Sequence, residues 1–250
     1  MRLGVLLGLI DGADSKAITN FAVAAESAGY ASIWSSQAMG RGFMLSDPFI
    51  ALSAIASVTE SVEVGTAILQ LPLYNPTDIA LKSFSLAQLS SGRFILGVGA
   101  GSTGSDYELH QADFSRRFAR FEEKLAQLRT IFSTGQVDGI KTSAWDSVSH
   151  GVPLFFGTWG HQVRRAATEF DGWIASGMNR SVAEVTEAIV KYRKADGGRA
   201  IVSTIQIAAG QDLGELKDRL NHYDEAGFDD AVVIFSPGGP SLDQVRKLLD

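Results

Sequence analysis

The sequence predicts a single α/β domain closed into a (β/α)8 barrel of the TIM type, and three observations carry that expectation. Apolar runs too short for helices alternate eight times with longer stretches of helical period. Helix caps and glycine stops fall between them, as strand-helix units require. Eight such units in 250 residues fill one barrel rather than an open sheet, and no linker-like stretch divides residues 1–250.

In order, Leu3 to Leu9 is the first strand, and Ser15 to Ala28 the first helix, with Phe21, Ala24, Ala25 and Ala28 on one face and Gly29 as its stop. Ser32 to Ser35 is the second strand, running through Ser36, Gln37, Ala38 and Met39 into the glycine-rich loop Gly40 to Gly42. Asp47-Pro48 sets an N-cap beside a helix-starting proline, so Phe49 to Val58 follows as a helix. Val62 to Leu69 is the third strand, and Asn75-Pro76 repeats the device before the helix Thr77 to Leu89. After the stop at Gly92, Phe94 to Val98 is the fourth strand, followed by Gly99-Ala100-Gly101-Ser102. The helix from Ser115 to Phe132 places Phe118, Phe121, Leu125 and Leu128 on a core face. Thr134 to Gly151 is polar and reads as a loop over one end of the domain. Val152 to Phe156, the turn Gly157 to Gly160 and the helix His161 to Phe170 form the fifth unit. Trp173 to Ser176 with Val182 to Tyr192, Ala200 to Ala208 with Leu213 to Ala226, and Ala231 to Phe235 with Leu242 to Leu249 complete the eight.

The totals narrow the function. A formal net charge of −6 and a pI near 5.3, with no basic cluster, argue against nucleic acid. Cysteine is absent, which removes thiolate chemistry and fits a cytoplasmic protein. His110, His150, His161 and His222 are scattered without metal-ligand spacing, so no metal site is expected. The apolar run from Leu3 to Ile10 lacks a small-residue cleavage site and leads into Asp11 and Asp14, so it reads as a strand rather than a signal peptide. No stretch is long enough to span a membrane.

In a barrel the chemistry sits on the loops that follow the strands. Four of these carry unusual residues: Ser36-Gln37, Ala67-Ile68, Gly99 to Ser102 and Gly157 to Gly160, a half-ring that one elongated ligand could span. Residues 99 to 104 also fit G-x-G-x-x-G, but a long amphipathic helix follows instead of a second strand with an acidic ribose ligand, so the dinucleotide reading fails. A bare tight turn without ligand stays open beside the ligand-binding reading. An anion could sit at Gly157 to Gly160, before a helix start, or at Ser236 to Pro240. Tyr107 and His110 read as a solvated loop, Arg117 with Glu123 as a structural ion pair, and Trp34 as packing. Trp159 is either packing or a pocket wall.

The run DPFIALSAIASVTESVEVGTAILQLPLYNPTDIALKSFSLAQLSSGRFILGVGAGS, with Asp106-Tyr107, Phe114, Arg117 and Glu122-Glu123, resembles the bacterial-luciferase-like family of flavin- and deazaflavin-dependent oxidoreductases. PLFFGTWGHQVRRAATEFDGWIASG, from Pro153 to Gly177, resembles it too, so the likeness covers nearly the whole chain. It implies a short luciferase-like barrel with cofactor at the strand C-termini and a non-prolyl cis peptide in a third-strand bulge at Ala67-Ile68. It further implies Ala100, Gly101 and Ser102 along the ring or its side chain, and Thr158, Trp159 and Gly160 at the phosphate. Ser176, Gly177 and Met178 would border the groove, and the protein would be a homodimer. MRLGVLLG and YASIWSSQ look most like the branch using coenzyme F420, which implies hydride transfer with a small organic substrate. FMN with monooxygenation is the alternative. Where some relatives place Asp-His after the second strand this chain has Gln37-Ala38, and Ser102 replaces a glutamate. Gln37 is the catalytic candidate, able to hydrogen-bond but not to exchange a proton. A non-catalytic flavin-binding barrel, and a sugar-phosphate enzyme anchored at Ser236 to Pro240, are the further alternatives. The short 134–151 segment implies an open pocket.

Overall fold

The structure, a computed structural model, describes residues 1–8 and 16–249, so the expected strand end at Leu9 and helix start at Ser15 lie outside the described residues. β1 (Arg2–Leu6), α1 (Ala17–Ser27), β2 (Ser32–Ser35) and α2 (Pro48–Ala56) open the chain. The expected third strand is two pieces, β3 (Glu63–Thr66) and β4 (Leu69–Gln70), followed by α3 (Pro76–Leu89) and β5 (Phe94–Gly99). Then come α4 (Gly104–Leu109), α5 (Arg117–Thr134), the hairpin β6 (Gln136–Val137) and β7 (Ile140–Lys141), β8 (Leu154–Gly157) and α6 (Val163–Glu169). β9 (Gly172–Ser176), α7 (Val182–Arg193), β10 (Arg199–Ile207), α8 (Leu213–Ala226), β11 (Asp230–Phe235) and α9 (Leu242–Arg246) complete it.

The large sheet is parallel and runs β3-β2-β1-β11-β10-β9-β8-β5, with β3 pairing β5 to close the circle. β4 continues the path of β3 and pairs Leu69 with Val98. This is the predicted (β/α)8 barrel. The sequence caps work as expected: Asp47 accepts from the amides of Phe49 and Ile50, and Asn75 from that of Thr77. Among the described residues no helix is long and apolar enough to cross a membrane.

Alternation along each strand sends one set of side chains outward, to the helices, and the other into the lumen. Leu6, Trp34, Ile95, Phe155, Ile174, Ile201 and Val232, each at most 4% exposed, plug the lumen. At the N-terminal end, Arg199 pairs with Glu63 and buried Asp230, and Arg2 with the same two acids, tying four strands together. Burial opposes the charge on Arg199, yet its hydrogen bonds to Asp230 and Glu63 hold its pKa above the ordinary value.

Several details differ from expectation. The 134–151 segment folds into the β6–β7 hairpin and a 3-10 turn at Asp146–Val148, and it connects a helix to the start of β8. It therefore lies at the N-terminal end, beside α3 where Ser147 donates to Gln88, and cannot cover a pocket at the mouth. Phe121, Leu125 and Leu128 are buried as predicted, but Phe118 is 57% exposed, because it sits at the helix edge where Arg117 stacks between its ring and Phe114. Arg117 makes that stack instead of pairing with Glu123, which a six-residue spacing turns to another helix face. In α1 the buried positions are Ala22 and Ala25, whereas Ala24 is exposed.

Candidate functional site

Above the plug the next lumen positions are small on most strands: Gly8, Ser36, Ala67, Gly97, Gly157, Ser176 and Ser203, with Ile234 the exception. Short side chains thus ring the C-terminal mouth, and Ile68, half-buried, lies on one side of it. The Ala67–Ile68 peptide is cis, as the resemblance implies. Where β3 breaks there, Thr66 takes over the ladder, its hydroxyl donating to the Gly97 carbonyl (2.7 Å) and accepting from the Gly97 amide (2.9 Å). The Ile68 side chain then lies across two neighbouring strands. A Cβ on Gly99 would meet it at 2.8 Å, and one on Gly157 at 2.3 Å, so both positions admit only glycine while Ile68 stays flat. Three of the predicted strand-end loops thus meet at one side chain.

A polar hub joins the same loops. Gln37 accepts from the backbone amide of Gln70 through Oε1 (3.0 Å), which leaves its Nε2 as the end available to a ligand. Gln70 donates from Nε2 to Asp106 (2.8 Å), which also takes hydrogen bonds from Arg41 and from the amide of Met39. Asp106 is 1% exposed. Burial would raise its pKa, but the hydrogen bonds from Arg41 and Gln70 and the Arg41 charge hold it below the usual carboxylate range. With Nε2 committed to that carboxylate, Gln70 Oε1 is left buried without a donor. It lies against Gly101, where a Cβ would come within 2.1 Å and φ is +75°.

The remaining predicted residues follow the rim, but Ala100 and the Trp159 ring face the outer layer instead. Gly177 donates its amide to the Ser203 carbonyl, and Met178 to the Ser176 hydroxyl. The Thr158 carbonyl accepts from the Trp173 indole, and the Trp159 ring faces Trp173 in the outer layer. Arg180 lies over Trp159 at 3.8 Å with its Nε buried and unpartnered, so a cation stands beside the Thr158 to Gly160 turn. In the other candidate turn, at 236–240, a Cβ on Gly239 would point at the Ser236, Ala208 and Ile207 carbonyl oxygens. Ala100 is buried in the outer core with its carbonyl held by the Tyr107 hydroxyl, while Ser102 is exposed on the rim. Tyr107 is fully buried in α4, so it is not a solvated loop residue, whereas His110 is half-exposed in the turn after α4, where it bonds the Asp106 carbonyl. Trp34 is packing, as expected, with its ring filling the space beside Gly65. No local pattern marks Arg41 or Arg180; Gln70 and Asp106 belong to the run and motif quoted above.

These features define a class: an α/β barrel whose C-terminal mouth offers a flat apolar floor, a donor amide and a cation next to open backbone. The chain belongs to the luciferase-like monooxygenase family, whose sequence model matches residues 7–223, and it is an oxidoreductase of that class. An uncharacterized protein of Mycobacterium tuberculosis is 27% identical over 207 residues, 78% of this chain and 71% of the relative. An F420-dependent glucose-6-phosphate dehydrogenase of Nocardia farcinica is 29% identical over 168 residues, 61% of this chain and 50% of that relative. The crystal structure of a monooxygenase from Streptomyces bottropensis superposes with a TM-score of 0.80 at 15% identity, covering 100% of this chain and 97% of that one, a likeness of fold.

Proposed function

We propose that the protein is a coenzyme F420-dependent oxidoreductase that passes a hydride between the deazaflavin and a small organic substrate. The observation that carries this reading is Ile68 lying across Gly99 and Gly157, which would give a planar ring one apolar face to rest on. When bound, the deazaflavin supplies a ring carbon that gives or takes the hydride. Ile68 and the glycines under it keep water from the supported face. Gln37, its oxygen fixed by Gln70, presents Nε2 to a ring or substrate oxygen but cannot act as a general acid or base at neutral pH. Thr158, Trp159 and Gly160 offer backbone to the anionic tail, and Arg180 offers charge. The F420-dependent relative supports the deazaflavin over FMN.

Fluorescence titration with F420, with its tail-less riboside and with FMN tests this. F420 is expected to bind at least about tenfold tighter than the riboside, a margin of one charge-assisted contact. Arg180→Gln should remove most of that margin. FMN binding tighter than F420 would replace the cofactor by FMN. Absence of hydride turnover with reduced F420 across ketone, enone and imine acceptors would favour a non-catalytic barrel.

A further inference from the structure

The geometry points to the bulge in β10 as the polar half of the substrate site: Thr204, with Ser203 and Ser176, hydrogen-bonds the carbonyl oxygen of an uncharged ketone or enone. It rests on the reading above, in that the substrate stands on the open face of a ring supported by Ile68.

The register shows the device. Val202 pairs with Ala231 and Ile205 with Val233, so β10 carries one residue more than its partner between those points. Val202 and Ile205 both pack in the outer core, which turns the two residues between them, Ser203 and Thr204, to the lumen side. Their hydroxyls lie 3.4 Å apart. Thr204 has φ +62°, in the left-handed region, where a β-branched residue is a true outlier and where glycine or asparagine would sit with less strain. A threonine kept at such a position has a use for its hydroxyl. β10 lies four strands from β3 in either direction round the barrel, so the bulge stands opposite Ile68. Ser176 pairs with Ser203 in register and adds a third hydroxyl at the same level.

Proton accounting makes the group a donor set. Ser176 accepts from the Met178 amide, so its own proton is uncommitted. Ser203 and Thr204 share one hydrogen bond between two hydroxyls, so one of their protons is uncommitted too. From the plug upward the lumen positions of β9, β10 and β11 are Ile174, Ser176, Ile201, Ser203, Thr204, Gln206, Val232 and Ile234, none of them charged; Arg199 and Asp230 lie below the plug, paired with each other. A carbonyl oxygen fits that wall; a carboxylate or phosphate would find no counter-charge there.

The test uses the F420-loaded protein and 2-cyclohexen-1-one as the probe, read by its perturbation of the cofactor fluorescence. Thr204→Val keeps the shape and removes the hydroxyl. It is expected to leave F420 affinity unchanged while weakening the probe about tenfold, the worth of one buried hydrogen bond. Thr204→Ser should restore probe binding. Thr204→Gly, which relaxes the backbone and so folds, should lose the probe while its Tm stays level or rises, a result a structural role would not give. Overturning results are a wild-type protein that does not respond to the probe, Thr204→Val binding it as wild type does, or cyclohexanecarboxylate binding as well as the enone. Failure of wild type to bind any deazaflavin or flavin would show before the probe is added, and would sink the proposed function rather than this assignment.

Discussion

Gly157→Ala is the sharpest test of the floor at the mouth. A methyl there would lie 2.3 Å from Ile68 Cγ2, where ordinary contact begins at 3.4 Å, so the Ile68 side chain must retreat by more than 1 Å. The strand holds Gly157 in register with Ile174 of β9, and Thr66 clamps the other side, so the retreat falls on Ile68 and takes it off the wall into the lumen. Overpacking of this kind costs about 1–3 kcal/mol. Placed on the ligand-bearing surface, it should weaken cofactor affinity by about 5- to 150-fold, measured by fluorescence titration. Ile68→Leu moves the branch away from Cβ and removes the Cγ2 methyl in the way, so the double variant should recover most of the loss, giving a coupling energy of about 1 kcal/mol or more in the mutant cycle. Gly104→Ala, with no atom closer than 4.0 Å, is the control. Wild-type affinity in Gly157→Ala, or no coupling to Ile68, would refute the reasoning.

Asp106→Asn should loosen the loop after β2, since Arg41, Gln70 and the Met39 amide all converge on that carboxylate, and amide hydrogen exchange over residues 38–45 should rise. Because the folded-state pKa of Asp106 is depressed, its stabilising effect is complete above the unfolded carboxylate value of about 3.9 and is lost as pH falls through the lower folded value. The Tm gap between wild type and Asp106→Asn should therefore stay flat from pH 5 to 8, to about a degree; a gap that closes near neutrality would contradict it. Arg199→Met should cost about 3 kcal/mol in urea unfolding, the low end for breaking a buried pair because Arg2 still reaches Asp230, with no change in cofactor affinity. We propose a homodimer through the exposed Ile50 and Leu81, on the neighbouring helices α2 and α3; Leu81→Arg should then shift light-scattering mass to that of a monomer.

The barrel was legible because its signals are local. Strand length, the Asp47-Pro48 and Asn75-Pro76 caps and the glycine stops each act within a few residues. The bulge at Ala67-Ile68 came from resemblance alone, since nothing in the residue pair itself demands it. What stayed hidden depends on contacts between distant parts of the chain. Gln70 and Asp106 meet across 36 positions, and only the closed barrel brings them together. Trp159 sits in a turn, where no period fixes the direction of a side chain, and it turned outward to Trp173. Thr204 lies inside an apolar strand whose composition gives no hint that one residue is extra.

The seven side chains stoppering the lumen make the barrel a cup with a single opening. Everything that enters must leave by the same door, so a second reactant seated at the mouth would stand in the way of the first, and excess of it should slow the first one's release.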